Sequence, residues 1–165
     1  MHAGSGLSVV HALKYQQWPA VAPGMAARMA RLRWPDDVVA ERAALVPVPL
    51  APERERARGY NQAERLASAL APAWGVPVWA DALVRVRVTQ TQTRLTPEQR
   101  LVNVSGAFRA RDDARDRLRL AHIVLVDDVV TTAATLNACA AALHAGGARI
   151  VSFVTFGRAP ATGDR

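Results

Sequence analysis

A single cysteine, Cys139, stands in the 165 residues, which excludes an internal disulfide and any zinc site built from several thiolates. No apolar stretch of about 18 residues runs uninterrupted, so no membrane span is expected. The start, Met1 to Tyr15, lacks a basic cluster followed by a long apolar run and does not read as a signal peptide. A cytoplasmic protein is the expectation these absences give. Aromatic residues make up only 5% of the chain, so the core must be built from small and branched aliphatics. Lysine is nearly missing as well, since Lys14 is alone among the 21 lysines and arginines. No glycine-rich loop ends in Gly-Lys-Ser/Thr, which removes the commonest nucleotide-hydrolase cradle. Internal repeats and low-complexity blocks are also lacking.

What is present reads as one globular domain. Half the residues are hydrophobic and 21% are charged, a balance that can bury a core. The formal charge is +7 and the pI about 11.1. Arginine forks suit phosphate oxygens, so a polyphosphate metabolite or a nucleic-acid backbone would fit. A genome's base composition would produce the same arginine bias, so charge alone does not choose.

Along the chain, Val9, Val10, Leu13, Val21, Met25, Met29 and Leu32 recur at helical spacing, giving two helical pieces joined at Pro19 and Pro23. Trp34 to Asp37 reads as a turn, and Ala43 to Leu50 as a buried strand that leaves through a proline-containing loop. Pro52 to Tyr60 is polar and arginine-rich and reads as a loop. A helix is expected over Gln62 to Trp74, with Leu66, Ala69, Leu70 and Ala73 on one face and Gly75 and Pro77 ending it. Val78 to Val88 has strand character in its second half, and Thr96-Pro97 opens a short helix. Arg109 to Arg119 is a hydrated charged connection. Ile123 to Val126 and Ile150 to Phe156 are continuous apolar runs flanking a helix marked by Leu136, Ala140 and Leu143 and closed by Gly146-Gly147. That strand–helix–strand spacing fits a right-handed crossover in a parallel sheet. The fold class is α/β. The expected layout is a single domain over 1–165, with an N-terminal helical segment 1–35, a core 36–158 and a tail 159–165.

The chemistry lies in Val124-Leu125-Val126-Asp127-Asp128-Val129-Val130-Thr131-Thr132-Ala133-Ala134-Thr135, which joins that strand to that helix. In open parallel sheets, ligands bind beyond the carboxyl ends of strands. Two carboxylates there can accept hydrogen bonds from ribose hydroxyls or help hold a hydrated divalent cation. Next to them, a small-residue turn enters a helix whose free N–H groups and positive dipole end suit a phosphate. Thr131, Thr132 and Thr135 add hydroxyls at the same spot. Sugar-binding acids followed by a phosphate cradle imply a phosphorylated ribose. The plainer possibility is a strand end, a cap and a turn, and the threonine cluster weighs against it.

Val124 to Thr135 resembles the signature that binds phosphoribosyl pyrophosphate (PRPP) in phosphoribosyltransferases, and the wider chain resembles the ComF family of competence-associated proteins. The likeness runs from Leu7 to Phe156. It is carried by His11 to Tyr15, Val46-Pro47-Val48-Pro49-Leu50, Arg56, Arg58-Gly59-Tyr60-Asn61-Gln62, Arg87, Thr89, Gln92, Leu95, Arg100, Asn103 and Gly106-Ala107-Phe108. The resemblance implies a phosphoribosyltransferase-type fold, a central, mainly parallel sheet flanked by helices, with a mobile hood. It implies a pyrophosphate loop at Val48, Pro49, Leu50 and Arg58, and a hood holding Thr89, Gln92, Arg100 and Asn103. It places Asp127, Asp128 and Arg87 as catalytic, with Val129, Thr131, Thr132, Ala133, Ala134 and Thr135 around the 5-phosphate. Magnesium would accompany PRPP, held indirectly by Asp127 and Asp128. The implied role is DNA uptake in natural transformation, with single-stranded DNA and a DNA-uptake helicase as partners and phosphoribose transfer to a nucleophile as the reaction. A non-catalytic PRPP or nucleotide sensor, or a single-stranded-DNA binder, is the alternative on the same fold.

Two departures stand out. Glycine usually occupies the position of Ala133, where backbone amides approach the phosphate. ComF proteins commonly carry a cysteine-rich zinc module, and this sequence opens where that module would end, as a natural short form or a trimmed chain; no zinc is expected in this chain. Arg54, Arg56 and Arg58 read as a loop near the site. Tyr60 suits either base stacking or anchoring a helix start. His122 and His144 are isolated, Cys139 reads as a packed small residue, and Trp18, Trp34, Trp74 and Trp79 as packing residues. The helix near Leu7 to Leu32 offers a face for a homodimer.

Overall fold

The computed structural model describes residues 19–87 and 103–158. The first helical piece, the helix at Thr96-Pro97, the hood residues Thr89, Gln92 and Arg100, and the tail lie outside them.

A 3-10 turn at Pro19–Val21 leads into α1 (Ala22–Met29), with Pro23 in its first turn. Proline lacks only an N–H that has no partner there, so Pro23 starts this helix and does not interrupt it. Ala22, Met25, Ala26 and Met29 form its buried stripe. The expected turn at Trp34 to Asp37 instead begins α2 (Asp36–Glu41), with Pro35 extended at the cap and Asp36 and Asp37 at the positive end. β1 (Arg42–Pro47) follows.

The expected loop over Pro52 to Tyr60 is a helix, α3 (Pro52–Arg58). Proline opens it, Glu53 and Glu55 lie in its first turn, Arg56 and Arg58 in its last, and Gly59 caps it at φ 83°. Each residue type matches the dipole end it occupies. α4 (Gln62–Trp74) ends at Gly75, left-handed at φ 65°. Its buried face is Ala63, Leu66, Ala67, Leu70 and Trp74; Ala69 is only partly buried and Ala73 is exposed, which corrects the expected face by one position.

β2 (Leu83–Arg85) and β3 (Phe108–Ala110) form a separate antiparallel ribbon. β3 occupies the start of what reads as a hydrated connection, and α5 (Arg115–Leu118) its end, with Ala114 and Leu118 buried. β4 (His122–Val130), α6 (Ala134–Ala145) and β5 (Ile150–Arg158) complete the chain's described part.

The main sheet is parallel with the order β1–β4–β5. On the outer side of β1, Leu45 exchanges backbone hydrogen bonds with the Pro77–Trp79 stretch, Leu45 N–H to Pro77 O and Trp79 N–H to Leu45 O, both 2.9 Å. One face of the sheet, with Ala44, Val46, Ile123 and Leu125, packs against α6 and the β2–β3 ribbon. The other, with Leu45, Val124, Val126 and Val154, packs against α1 and α4. Covering on both faces explains why these strands read as unbroken apolar runs.

Candidate functional site

The chain leaves β1 through α4 on one face and leaves β4 through α6 on the other. Crossovers that step in opposite directions part between these strands, and the crevice at their carboxyl ends is where open α/β sheets take ligands. β1 pairs with β4 only as far as Pro47 opposite Val126, with Val48 N–H donating to Val126 O at 2.9 Å. β4 continues to Val130 along β5. Asp127 to Val130 therefore project beyond β1 and line the crevice mouth.

The two acids differ in exposure: Asp127 is half-buried, while Asp128 is only 2% exposed. The Asp127 Oδ1 accepts the Asp128 N–H and the Asp128 Oδ1 accepts the Val129 N–H, each at 2.8 Å. Asp127 is the more exposed of the two carboxylates, and each one orders the backbone that follows it.

Beyond Val130, Thr131, Thr132 and Ala133 form a half-buried turn into α6. Ala133 is the helix N-cap, at φ 56° and ψ 5°, a left-handed conformation that favours glycine. No acidic side chain stands in the first turn of α6 to compete with an anion. Ala134 and Leu136 are buried and fix the helix start, and Thr135, between them, is half-buried. Beside this turn lies the segment after β1, with Val48 and Ala51 buried and Pro49 and Leu50 half-buried. Arg58 lies at the end of α3, where its guanidinium donates to the Gln62 Oε1.

Arg87 works at the root of the 88–102 segment. Its Nη2 donates to the backbone carbonyls of Asn103, at 3.0 Å, and Ser105, at 2.6 Å, joining the two ends of that segment. Arg85, absent from the expected site, is half-buried at the end of β2 with its guanidinium 5.3 Å from the Phe108 ring centre. Burial first, then the positive charge of Arg54, hold its basicity below the usual arginine range; Cys139 and Glu53 act in the opposite direction, and Arg87 lowers it further. The alternation Leu83-Val84-Arg85 could have flagged it, because it puts Arg85 on the same side as the buried Leu83. Burial pushes the Cys139 thiol well above its ordinary value, and the Asp127 charge adds to this while Arg85 opposes it. That thiol is packed and unreactive. Among the described residues, no three His, Cys, Asp or Glu side chains gather to hold a metal.

Residues 56–165 match the family described as phosphoribosyl transferase domain. The chain belongs to that family. It is similar to the DNA utilization protein YhgH of Salmonella typhi, 34% identical over 150 residues that cover 87% of this chain and 63% of that protein. It is similar also to competence protein F of Haemophilus influenzae, 37% identical over 94 residues covering 57% of this chain and 41% of that one. The ComF resemblance is borne out by these relatives, and the chain spans less than two thirds of their length. A solved glutamine PRPP amidotransferase of B. subtilis, complexed with ADP and GMP, superposes over 84% of this chain and 26% of its own with a TM-score of 0.55 at 17% identity, a likeness of fold. The fold is of the phosphoribosyltransferase type, a mainly parallel sheet flanked by helices. Among the described residues, no helix is long and apolar enough to cross a membrane.

Proposed function

We propose that the β1–β4 crevice binds PRPP and that the protein works in the cytoplasm on DNA taken up by the cell. The observation that carries the first part is the juxtaposition of Asp127, at the free end of β4, with the left-handed turn of Ala133 into α6. A carboxylate accepts hydrogen bonds from ribose hydroxyls, and helix-start amides and threonine hydroxyls donate to a 5-phosphate. The loop Val48–Ala51 takes the pyrophosphate, and the 88–102 segment, rooted by Arg87, supplies the hood. The second part rests on the relatives' names, DNA utilization protein and competence protein F.

Magnesium fits as an ion carried in on the pyrophosphate. It prefers phosphate oxygens and water with one or two carboxylates, and Asp127 offers one half-buried carboxylate, with no larger cluster among the described residues. Bound there, magnesium would neutralise the leaving pyrophosphate. Transfer would form a bond from a nucleophile to the ribose C1 and break the C1–oxygen bond to pyrophosphate.

Calorimetric titration of PRPP with magnesium tests the reading. The parent binds, and Asp127→Asn loses about tenfold or more in affinity, the scale of a charge-assisted hydrogen bond. A well-folded parent that does not bind overturns it. Single-stranded DNA is then the ligand to titrate, a second reading favoured by the +7 charge, with affinity that falls steeply as salt rises.

A further inference from the structure

The motif Arg58-Gly59-Tyr60-Asn61-Gln62 forms the elbow between α3 and α4. We infer that Asn61 is the positioning residue for the loop after β1, and that this elbow is its mount.

Asn61 is buried, 7% exposed, and its amide is divided between two elements. Its Oδ1 accepts the Ala63 N–H at 3.0 Å and caps α4. Its Nδ2 donates to Val48 O at 3.0 Å, thirteen residues earlier in the chain. An N–H only donates and a carbonyl only accepts, so these partners fix which end of the amide faces which. Serine, threonine or aspartate would cap the helix equally well. The second bond requires a donor at amide reach, which aspartate lacks and the shorter serine cannot extend.

Val48 is thereby held from both sides, by Asn61 at its carbonyl and by Val126 of β4 at its N–H. The chain is anchored again at Ala51, whose carbonyl accepts the N–H groups of Arg54 and Glu55, both at 2.9 Å. The loop between these anchors is short and contains Pro49, so fixing Val48 fixes the loop's course. The elbow holds Asn61 in turn. Gly59 makes the left-handed bend, the Arg58 guanidinium spans it to Gln62, and Tyr60 is buried against the α1–α4 core with Arg65 over its ring at 5.9 Å.

The ligand side of this inference rests on the reading that Val48–Ala51 faces pyrophosphate; the clasp itself does not. Asn61→Ser and Asn61→Asp keep the cap and remove the donor. Two measurements are made on each, together with the parent: hydrogen exchange at the Val48 and Ala63 amides, and titration with magnesium pyrophosphate. The expected result is faster exchange at Val48 with Ala63 still protected, and pyrophosphate binding weakened about tenfold, the scale of one buried hydrogen bond. Unchanged exchange at Val48, or parent-like pyrophosphate affinity in the serine variant, overturns the inference. So does loss of protection along all of α4, which would place the effect in the helix and not in the loop. If Val48 loosens as expected but the parent itself binds no pyrophosphate, the clasp stands and the ligand reading falls.

Discussion

Ala133 holds a backbone that glycine adopts freely and alanine does not, and it does so where a phosphate would approach. A Cβ in the left-handed region costs about 1–2 kcal/mol. Ala133→Gly removes that strain and, in return, frees the unfolded chain, so a net gain of about 0.5–1 kcal/mol is expected. Thermal melting should rise by about 2–4 °C per kcal/mol, and a fall in melting temperature would show that the strain is absent. The resemblance marked position 133 as a usual glycine, and the dihedral shows Ala133 in the left-handed conformation that glycine favours. The Asp127–Thr135 signature was legible because its residues are contiguous. β4 itself runs on to Val130, four residues past its expected end at Val126. The contacts of Arg85 and Asn61 were not legible, because their partners, Phe108 and Val48, lie far off in sequence.

The elements that were readable are those that bury a stripe. α4 and the β4–α6–β5 unit carry apolar periodicity, and their positions follow from it. α2 and α3 bury no residue, so no stripe marks them, and their stretches read as a turn and a loop. The packing of α6 sets a further test. At its end, a Cβ added to Gly146 would stand 2.5 Å from the Ala110 Cβ on β3 and 3.1 Å from a Leu118 methyl on α5. Neither a strand Cβ nor the helix end can yield cheaply, whereas the backbone of Gly146 is ordinary right-handed. Gly146→Ala should therefore cost about 1–3 kcal/mol through overpacking, read as a lower urea midpoint with unchanged slope. A midpoint equal to the parent's would mean that α6 does not press on the ribbon at this point.

At the scale of the whole molecule, the end of the sheet opposite the crevice carries a titration that should govern stability in mild acid. His122, 3% exposed at the start of β4, shares a hydrogen bond of 2.9 Å between its Nε2 and the Ser152 Oγ of β5. Its Nδ1 lies 3.9 Å from the Glu41 Oε2 of α2, and Arg149 holds that same carboxylate oxygen at 2.7 Å. Burial lowers the imidazole's affinity for a proton; Glu41 opposes this, Arg149 reinforces it, Asp37 opposes it weakly, and the net direction is down. The unfolded chain then binds the proton more readily than the folded one, so stability is full above the ordinary imidazole value of about 6.5 and is lost as pH falls through it. Asp81, held low chiefly by its hydrogen bond from Arg117, and Asp113, held low by Arg111, titrate beneath that window and leave it clear. Each proton also adds charge to a chain already at +7, and self-repulsion acts in the same direction. Melting temperature should hold level from pH 8 to 7 and fall from pH 7 to 5. His122→Gln, which keeps a polar partner for Ser152, should flatten that fall, while added salt should relieve only the part due to net charge. Equal slopes for parent and variant across pH 7 to 5 would remove His122 as the cause and leave the global charge to account for the whole decline.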